Sequence, residues 1–350
     1  MAARVLAHFR EQARFCEEYG SPFTAALINS AADDIEAGGP TAALVAGWST
    51  NPRADALALR LAGALHAAVL TGRDPALAAV YPAAKPDWRI EDVWPIVRAF
   101  LAREAAWAAA FMRSPPQTNE TRRAIALLAG FLSFAQEWRG PIDTLEIGAS
   151  AGLNLNWDRF RYRTQTWAWG QESPVLIDTD WQAPIPPLPE IALRHRAGCD
   201  LNPLDIRDEA ARLQLRSYIW PDQPDRLARF DGAVALALEH ATRVDRADAA
   251  EWLTQKLAAR ADDAATIVYH SIFLQYPPRA AREAIVRAIH SASASATPHT
   301  PLAWVRLEPE AVTDGVENGL RYVIDLTTWP GGRRRILGYT DGHVRAVLAP

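Results

Sequence analysis

Lysine is nearly missing from this chain. The 350 residues hold two, Lys85 and Lys256, against thirty-five arginines. Acidic residues outnumber basic ones and the net charge is −4, so no positive field is left over for a polyanion. Sequence-independent nucleic-acid binding is therefore not expected, and the arginine skew is background. Cysteine is equally scarce. Cys16 and Cys199 stand alone and far apart, which excludes a disulfide framework, a zinc ribbon and a redox dithiol. Long apolar runs are absent: Ile125–Ala135 is far short of the ~18–20 residues that span a bilayer. The first ten residues contain no unbroken apolar segment of a secretory signal, so a cytoplasmic protein with no membrane partner is expected. His8, His66, His195, His240 and His290 show no ligand spacing, and no metal is expected. What the chain does have is core material: 49% of it is hydrophobic and 22% charged, which excludes disorder as its main state.

The pattern divides at Gly140-Pro141. Before it, apolar residues recur at helical spacing. A first helix stops at Gly20, and Ser21-Pro22 offers a cap and a proline at N1 for a second helix toward Gly38. Further helices are expected over about 53–71 and 91–112. Another, over about 120–138, is capped by Asn119 or Thr118. The expectation is an all-α domain over 1–140 with its tryptophans packed inside. After Pro141, strands alternate with helices. Ile142–Ile147 is a short β run, then come strands near 191–198, 266–269 and 302–307, with helices near 207–219, 224–240, 248–260 and 279–291. Two strands at about 320–329 and 333–348 flank Pro330-Gly331-Gly332. Phe160–Thr164 and Val175–Ile177 around Gly170 predict a β-hairpin insertion at about 159–180. Residues 141–350 therefore predict an α/β domain with a mostly parallel sheet and a C-terminal antiparallel hairpin.

The strongest local signal is Glu146-Ile-Gly-Ala-Ser-Ala-Gly152 between a strand and a helix. A dinucleotide-binding turn needs GxGxxG, and Ser150 and Leu153 stand where that pattern requires glycine. The literal GxSxG admits a nucleophile elbow, with Ser150 as nucleophile, His343 as base and Asp325 or Asp314 as acid. Against it, about 140 helical residues precede the motif, where hydrolases of that type build several strands. A tight joint without any ligand is a third reading.

The same residues resemble the glycine-rich loop of class I S-adenosylmethionine-dependent methyltransferases: an acidic residue, one residue, then Gly-x-Gly-x-Gly, here with Ser150 in the middle position. Over nearly its whole length the chain also resembles one bacterial family, a domain of unknown function with a methyltransferase-like fold. That likeness rests on Leu145–Asn154, Gly198–Asp205, Trp220-Pro-Asp-Gln223, Tyr269-His-Ser271 and Trp329-Pro-Gly-Gly332. The resemblance implies a Rossmann-like class I methyltransferase-type sheet and S-adenosylmethionine as cofactor. It implies cofactor contacts from Glu146, Gly148, Ala149, Ser150 and Gly152, and from Asp200 with Asn202 at the end of the next core strand. Such a loop lets backbone N–H groups reach a carboxylate at a helix start, and an acidic strand end suits the ribose hydroxyls.

His270, at the end of a later strand, is the candidate general base, since strand C-termini at a switch point bind ligands. Asn154, Trp157, Arg161 and Tyr162 crowd after the loop as a candidate substrate wall. Gln275 and Tyr276 join them by position. Their order differs from the Asn-Pro-Pro-Tyr loop of amino-group methyltransferases, so no role is carried over. The expected function is methyl transfer to a small-molecule acceptor. A non-catalytic ligand-binding relative and the Ser150 hydrolase are the alternatives. The helical half is also a candidate homodimer surface.

Overall fold

The structure is a computed structural model that describes residues 2–117, 119–316, 319 and 321–350. It divides into two compact units. The first comprises Met1–Thr118 together with Arg207–Ala228, the second Asn119–Ile206 and Arg229–Pro350.

The helical unit holds α1 (Ala2–Glu18), α2 (Pro22–Glu36), α3 (Pro40–Val45), α4 (Leu57–Leu70), α5 (Pro75–Val80), α6 (Ile90–Arg103) and α7 (Ala105–Met112). The expected single helix over 91–112 is two, because Glu104 leaves helical geometry at φ −110°, ψ 24° and both ends one helix and opens the next. Asp74 caps α5 by accepting from the amides of Ala76 and Leu77. Phe9, Phe23, Ile28, Leu61, Val97 and Phe100 form its core. Its last helix, α9 (Glu209–Ser217), comes from far along the chain and packs on α4.

The boundary therefore falls after residue 118, not near residue 140, and residues 207–228 cross it. The reason lies in α8 (Ala124–Glu137), whose residues from Ala124 to Ala135 are all buried. A helix apolar on every face needs cover on every face, and α8 packs on the sheet of the second unit, against β8 (Ala265–Ser271), β9 (Leu302–Pro309) and β10 (Tyr322–Trp329). Gly130 permits the approach: a Cβ there would press on the side chain of Val305. The helix is preceded by a 3-10 turn, Thr121–Arg123, whose amide Arg122 N is capped by Glu120. Asn119 does not cap it, and Thr118 lies outside the described residues.

The remaining strands are β1 (Ile142–Ile147), β2 (Arg161–Arg163), β3 (Ala168–Trp169), β4 (Leu176–Asp178), β5 (Asp180–Trp181), β6 (Leu193–Asp200), β7 (Asp245–Arg246), β11 (Arg333–Thr340) and β12 (Ala346–Leu348). The main sheet runs β5-β12-β11-β10-β9-β8-β1-β6-β7. From β7 to β9 every pairing is parallel, while β10 is antiparallel to both β9 and β11. This is an α/β unit with a mixed, mostly parallel sheet behind a helical N-terminal region. In chain order, the five parallel strands lie third, second, first, fourth, fifth, so the direction of winding reverses between β1 and β8. Residues alternate faces along a strand: Val305 meets α8, whereas Leu302 and Trp304 enter the opposite core with residues of α11 (Ala249–Ala258) and α12 (Arg279–Ser293). The sheet is covered on both sides, as parallel strands require.

The insertion differs from the expected hairpin. β2 pairs antiparallel with β3, but parallel with β4, so Val175–Ile177 is not the returning strand. Among the described residues no helix is long and apolar enough to cross a membrane.

Candidate functional site

β1 ends at Ile147, and the next five residues make a turn with three left-handed positions: Gly148 (φ +69°), Ser150 (φ +55°) and Gly152 (φ +75°). Serine in that region carries a steric cost of about 1–2 kcal/mol that glycine avoids. The turn is held from several sides. Ala149 N donates to Cys199 O at 3.0 Å. Ser150 N donates to Asp200 Oδ2 at 2.9 Å, and Asn202 N donates to Asp200 Oδ1 at 2.8 Å. Leu153 N donates to Asn119 Oδ1 at 2.9 Å, and Asn154 Nδ2 to Glu120 O at 3.3 Å. Two side-chain atoms are left over: Ser150 Oγ and Asn154 Oδ1 are buried with no hydrogen-bond partner among the described residues. Only a 3-10 segment, Leu153–Arg159, follows the turn, where a longer helix was expected.

Glu146, at the end of β1, is buried and accepts from Tyr269 Oη at 3.3 Å across the β1–β8 pairing. Burial, reinforced by the nearby Asp200 charge, pushes its carboxyl up to about 8. It is protonated at neutral pH and so does not offer a full negative charge.

β8 and β9 end beside this turn. His270 is fully buried and both ring nitrogens are engaged: Nδ1 lies 2.6 Å from Glu308 Oε1, and Nε2 accepts from Trp304 Nε1 at 3.0 Å. Since the indole can only donate, the proton sits on Nδ1 and faces the carboxylate. A ring so enclosed has no nitrogen left for a substrate proton, which speaks against the general-base expectation. Glu308 is also fully buried, and its Oε1 further accepts from Phe273 N at 2.8 Å and Leu274 N at 3.2 Å. Its Oε2 has no partner among the described residues. The same loop bends at Ile272, a β-branched residue with φ +51°, and lays the Phe273 ring against Gly148, where any Cβ would collide with it. Strain of this kind persists only where surrounding contacts hold it.

Arg123 completes the surroundings. It is half-buried, and Nε donates to Gly342 O at 3.1 Å. Glu120, Tyr276, Tyr322 and Glu308 act on its charge, and burial lowers its pKa. Phe273 against Gly148, Glu308 holding the Phe273 and Leu274 amides, and Glu120 holding Asn154 thus gather about the turn at the C-terminal edge of the strands, where the winding reverses.

Sequence reasoning missed Arg123, Glu308 and Phe273. No local pattern marks them; only strand order brings them together. Of the expected substrate wall, Trp157 and Tyr162 are instead fully buried core residues, with Tyr162 Oη donating to Trp157 O at 2.7 Å. Arg161 is tied to Gly170 O. Gln275 is exposed, as is Tyr276, with 73% of its surface accessible. Asn202 is exposed and accepts from Arg246 Nη1 at 3.1 Å. The hydrolase residues are not brought together. Ser150 Oγ has no partner, Asp325 is held by Arg306 and Arg334, Asp314 by Arg334, and the His343 ring lies 3.7 Å from Glu120. Among the described residues no group of three or more His, Cys, Asp or Glu side chains is placed to hold a metal ion.

No curated protein and no solved structure matches the chain. A family does, over residues 7–348. The chain belongs to DUF2332, a family described as uncharacterized protein conserved in bacteria.

Proposed function

We propose that the α/β unit is a Rossmann-like, class I methyltransferase-type domain that binds S-adenosylmethionine and serves methyl transfer to a small acceptor. One observation carries this reading: the glycine-rich turn follows the first of five parallel strands wound 3-2-1-4-5, with an aspartate at the end of the second. Ligands in open α/β sheets bind outside the strand C-termini at the point of reversal, and the turn lies there.

The residues present fit the cofactor in three respects. Ser150 Oγ is a buried hydroxyl without a partner, as a ligand contact requires. Asp200 stands beside the turn, half-buried, with lone pairs left for a diol. The left-handed turn keeps side chains small where a ligand's backbone-facing groups approach. Ser150 Oγ would hold the amino-acid end and Asp200 the ribose. Glu146, neutral until about 8, would accept a hydrogen bond from the ammonium or ionise beside it. When bound, the group supplies an electrophilic methyl carbon. The chain's part is placement, which carries most of the work in such a displacement. Phe273 covers Gly148, so a ligand meets an aromatic face there rather than bare backbone.

Isothermal titration with S-adenosylmethionine and S-adenosylhomocysteine tests the reading. Micromolar binding of either is expected, weakened about tenfold, ~1.4 kcal/mol, in Asp200→Asn. Absence of binding by both ligands to the folded wild-type chain sinks it.

A further inference from the structure

The loop after β8 holds one side chain in place. Its first residue, Ile272, is buried in the left-handed region at φ +51°, which a β-branched residue enters only under constraint. The constraint comes from β9. Ile272 N donates to Leu307 O at 2.7 Å, and Phe273 N and Leu274 N both donate to Glu308 Oε1, at 2.8 and 3.2 Å. A carboxylate oxygen that takes two adjacent amides fixes the backbone that carries them. The hold ends there, for Gln275 and Tyr276 are exposed.

Glu308 is itself fixed. It is fully buried, and its Oε1 also faces His270 Nδ1 at 2.6 Å. Trp304 Nε1 donates to the other ring nitrogen at 3.0 Å, which leaves the Nδ1 proton for the carboxylate. Trp304 and Glu308 lie four residues apart on β9 and so share a face, while His270 comes from the neighbouring β8. The His270 ring also packs on the Phe273 ring, with centroids 6.0 Å apart and planes at 63°. The same Phe273 ring lies against Gly148, where a Cβ would fall 2.2 Å from Cδ2. Phe273 is only half-buried, so the clamped ring keeps an open surface.

We propose that Glu308 and His270 are positioning residues that fix the Phe273 ring as a wall of the ligand site at Gly148. Such a wall meets an apolar or cationic part of a ligand and disfavours an anionic one. Its fixed position removes the ordering cost that a free side chain adds on binding. Naming the ligand as S-adenosylmethionine rests on the function proposed above; the clamp does not.

Two measurements on the full chain test the proposal. Hydrogen exchange of the ligand-free chain, followed by mass spectrometry over residues 272–276, reads the clamp. Wild type is expected to be protected there. Glu308→Ala should speed exchange about tenfold, and Glu308→Gln, which keeps an oxygen for the same donors, should lie between. Isothermal titration with S-adenosylmethionine reads the wall. Phe273→Ala should weaken binding about tenfold and Glu308→Ala by a similar factor. The two together should lose no more than Phe273→Ala alone, because Glu308 acts through that ring. A merely structural Glu308 would lower the melting midpoint and leave the affinity of the folded chain unchanged. Unchanged exchange in Glu308→Ala, wild-type affinity in Phe273→Ala, or losses that add in the double variant each overturns the proposal. If Glu308→Ala does not fold, as read by its melting curve, Glu308→Gln takes its place in the cycle with a smaller loss in the same direction. Should wild type bind neither S-adenosylmethionine nor S-adenosylhomocysteine while the exchange contrast holds, the methyltransferase reading falls and the clamp stands. Binding without the exchange contrast removes the clamp alone.

Discussion

At the scale of single residues, Glu146 shows how a sequence motif conceals its electrostatics. The pattern supplies an acidic residue two positions before Gly148, which reads as a negative charge. Folding buries the carboxyl against Tyr269 and near Asp200, and its pKa rises to about 8. The folded state therefore holds this proton more tightly than the unfolded chain does. Its contribution to stability is fully present below the ordinary glutamate value and is lost as pH rises through about 8. Within that window the slope is up to ~1.4 kcal/mol per pH unit. Glu146→Gln keeps an oxygen for the tyrosine hydroxyl and removes the titration. Urea unfolding across the window should give a flatter stability profile for the variant, crossing above wild type at the alkaline end; parallel profiles would remove the argument. The positions of Glu146, Ser150 and Asp200 beside one turn were legible in the sequence because they sit at strand ends. The roles expected of His270, Trp157 and Tyr162 were not, because burial and partners depend on what the rest of the chain packs against them.

At the scale of elements, the central strands β1, β8 and β9 were readable as apolar runs, and β1 matches its expected span residue for residue. Local pattern failed where a partner decides. β7 is two exposed residues with no apolar signature, made a strand by pairing with β6. The 160s hairpin was paired with the wrong segment because alternation shows strand character but not which strand returns. The Trp220-Pro-Asp-Gln223 stretch shows the same limit. Asp222 caps a helix that is distant in sequence. Its carboxylate accepts from Ser21 Oγ and, at 2.9 Å, from Phe23 N at the start of α2. Gln223 Nε2 adds a bond to Tyr19 O at 3.0 Å. Asp222→Ala removes the acceptor of two donors at a helix N-terminus and should cost about 1–2 kcal/mol. Thermal unfolding followed by circular dichroism should show a lower midpoint, whereas Asp222→Asn, which keeps one acceptor oxygen, should lose less. Equal midpoints for wild type and Asp222→Ala would mean the cap is dispensable.

At the scale of the molecule, the change of texture at Gly140-Pro141 is real but is not where the chain divides. Composition changes where helices give way to strands, while compact units are separated by which surfaces cover which. α8 looks like the last helix of the helical half, yet it is buried on every face and lies on β8, β9 and β10. Cutting at residue 141 removes the cover of one face of the sheet and strips Val305 of its contact with Gly130. It also removes Arg123, which donates to Gly342 O, and Glu120, whose carbonyl accepts from Asn154. The exposed face would be a broad apolar patch of the kind that drives aggregation. Starting at Asn119 restores α8, the 3-10 turn and the Asn119 and Glu120 bonds to Leu153 and Asn154. Both fragments still carry residues 207–228 without the helices they join, so the comparison isolates α8. The 119–350 fragment should elute from size exclusion as a defined species with α/β circular dichroism and a cooperative melt. The 141–350 fragment should aggregate or melt without cooperativity. Similar behaviour of the two would show that α8 is not needed to complete the α/β unit, and the boundary would return to Gly140-Pro141.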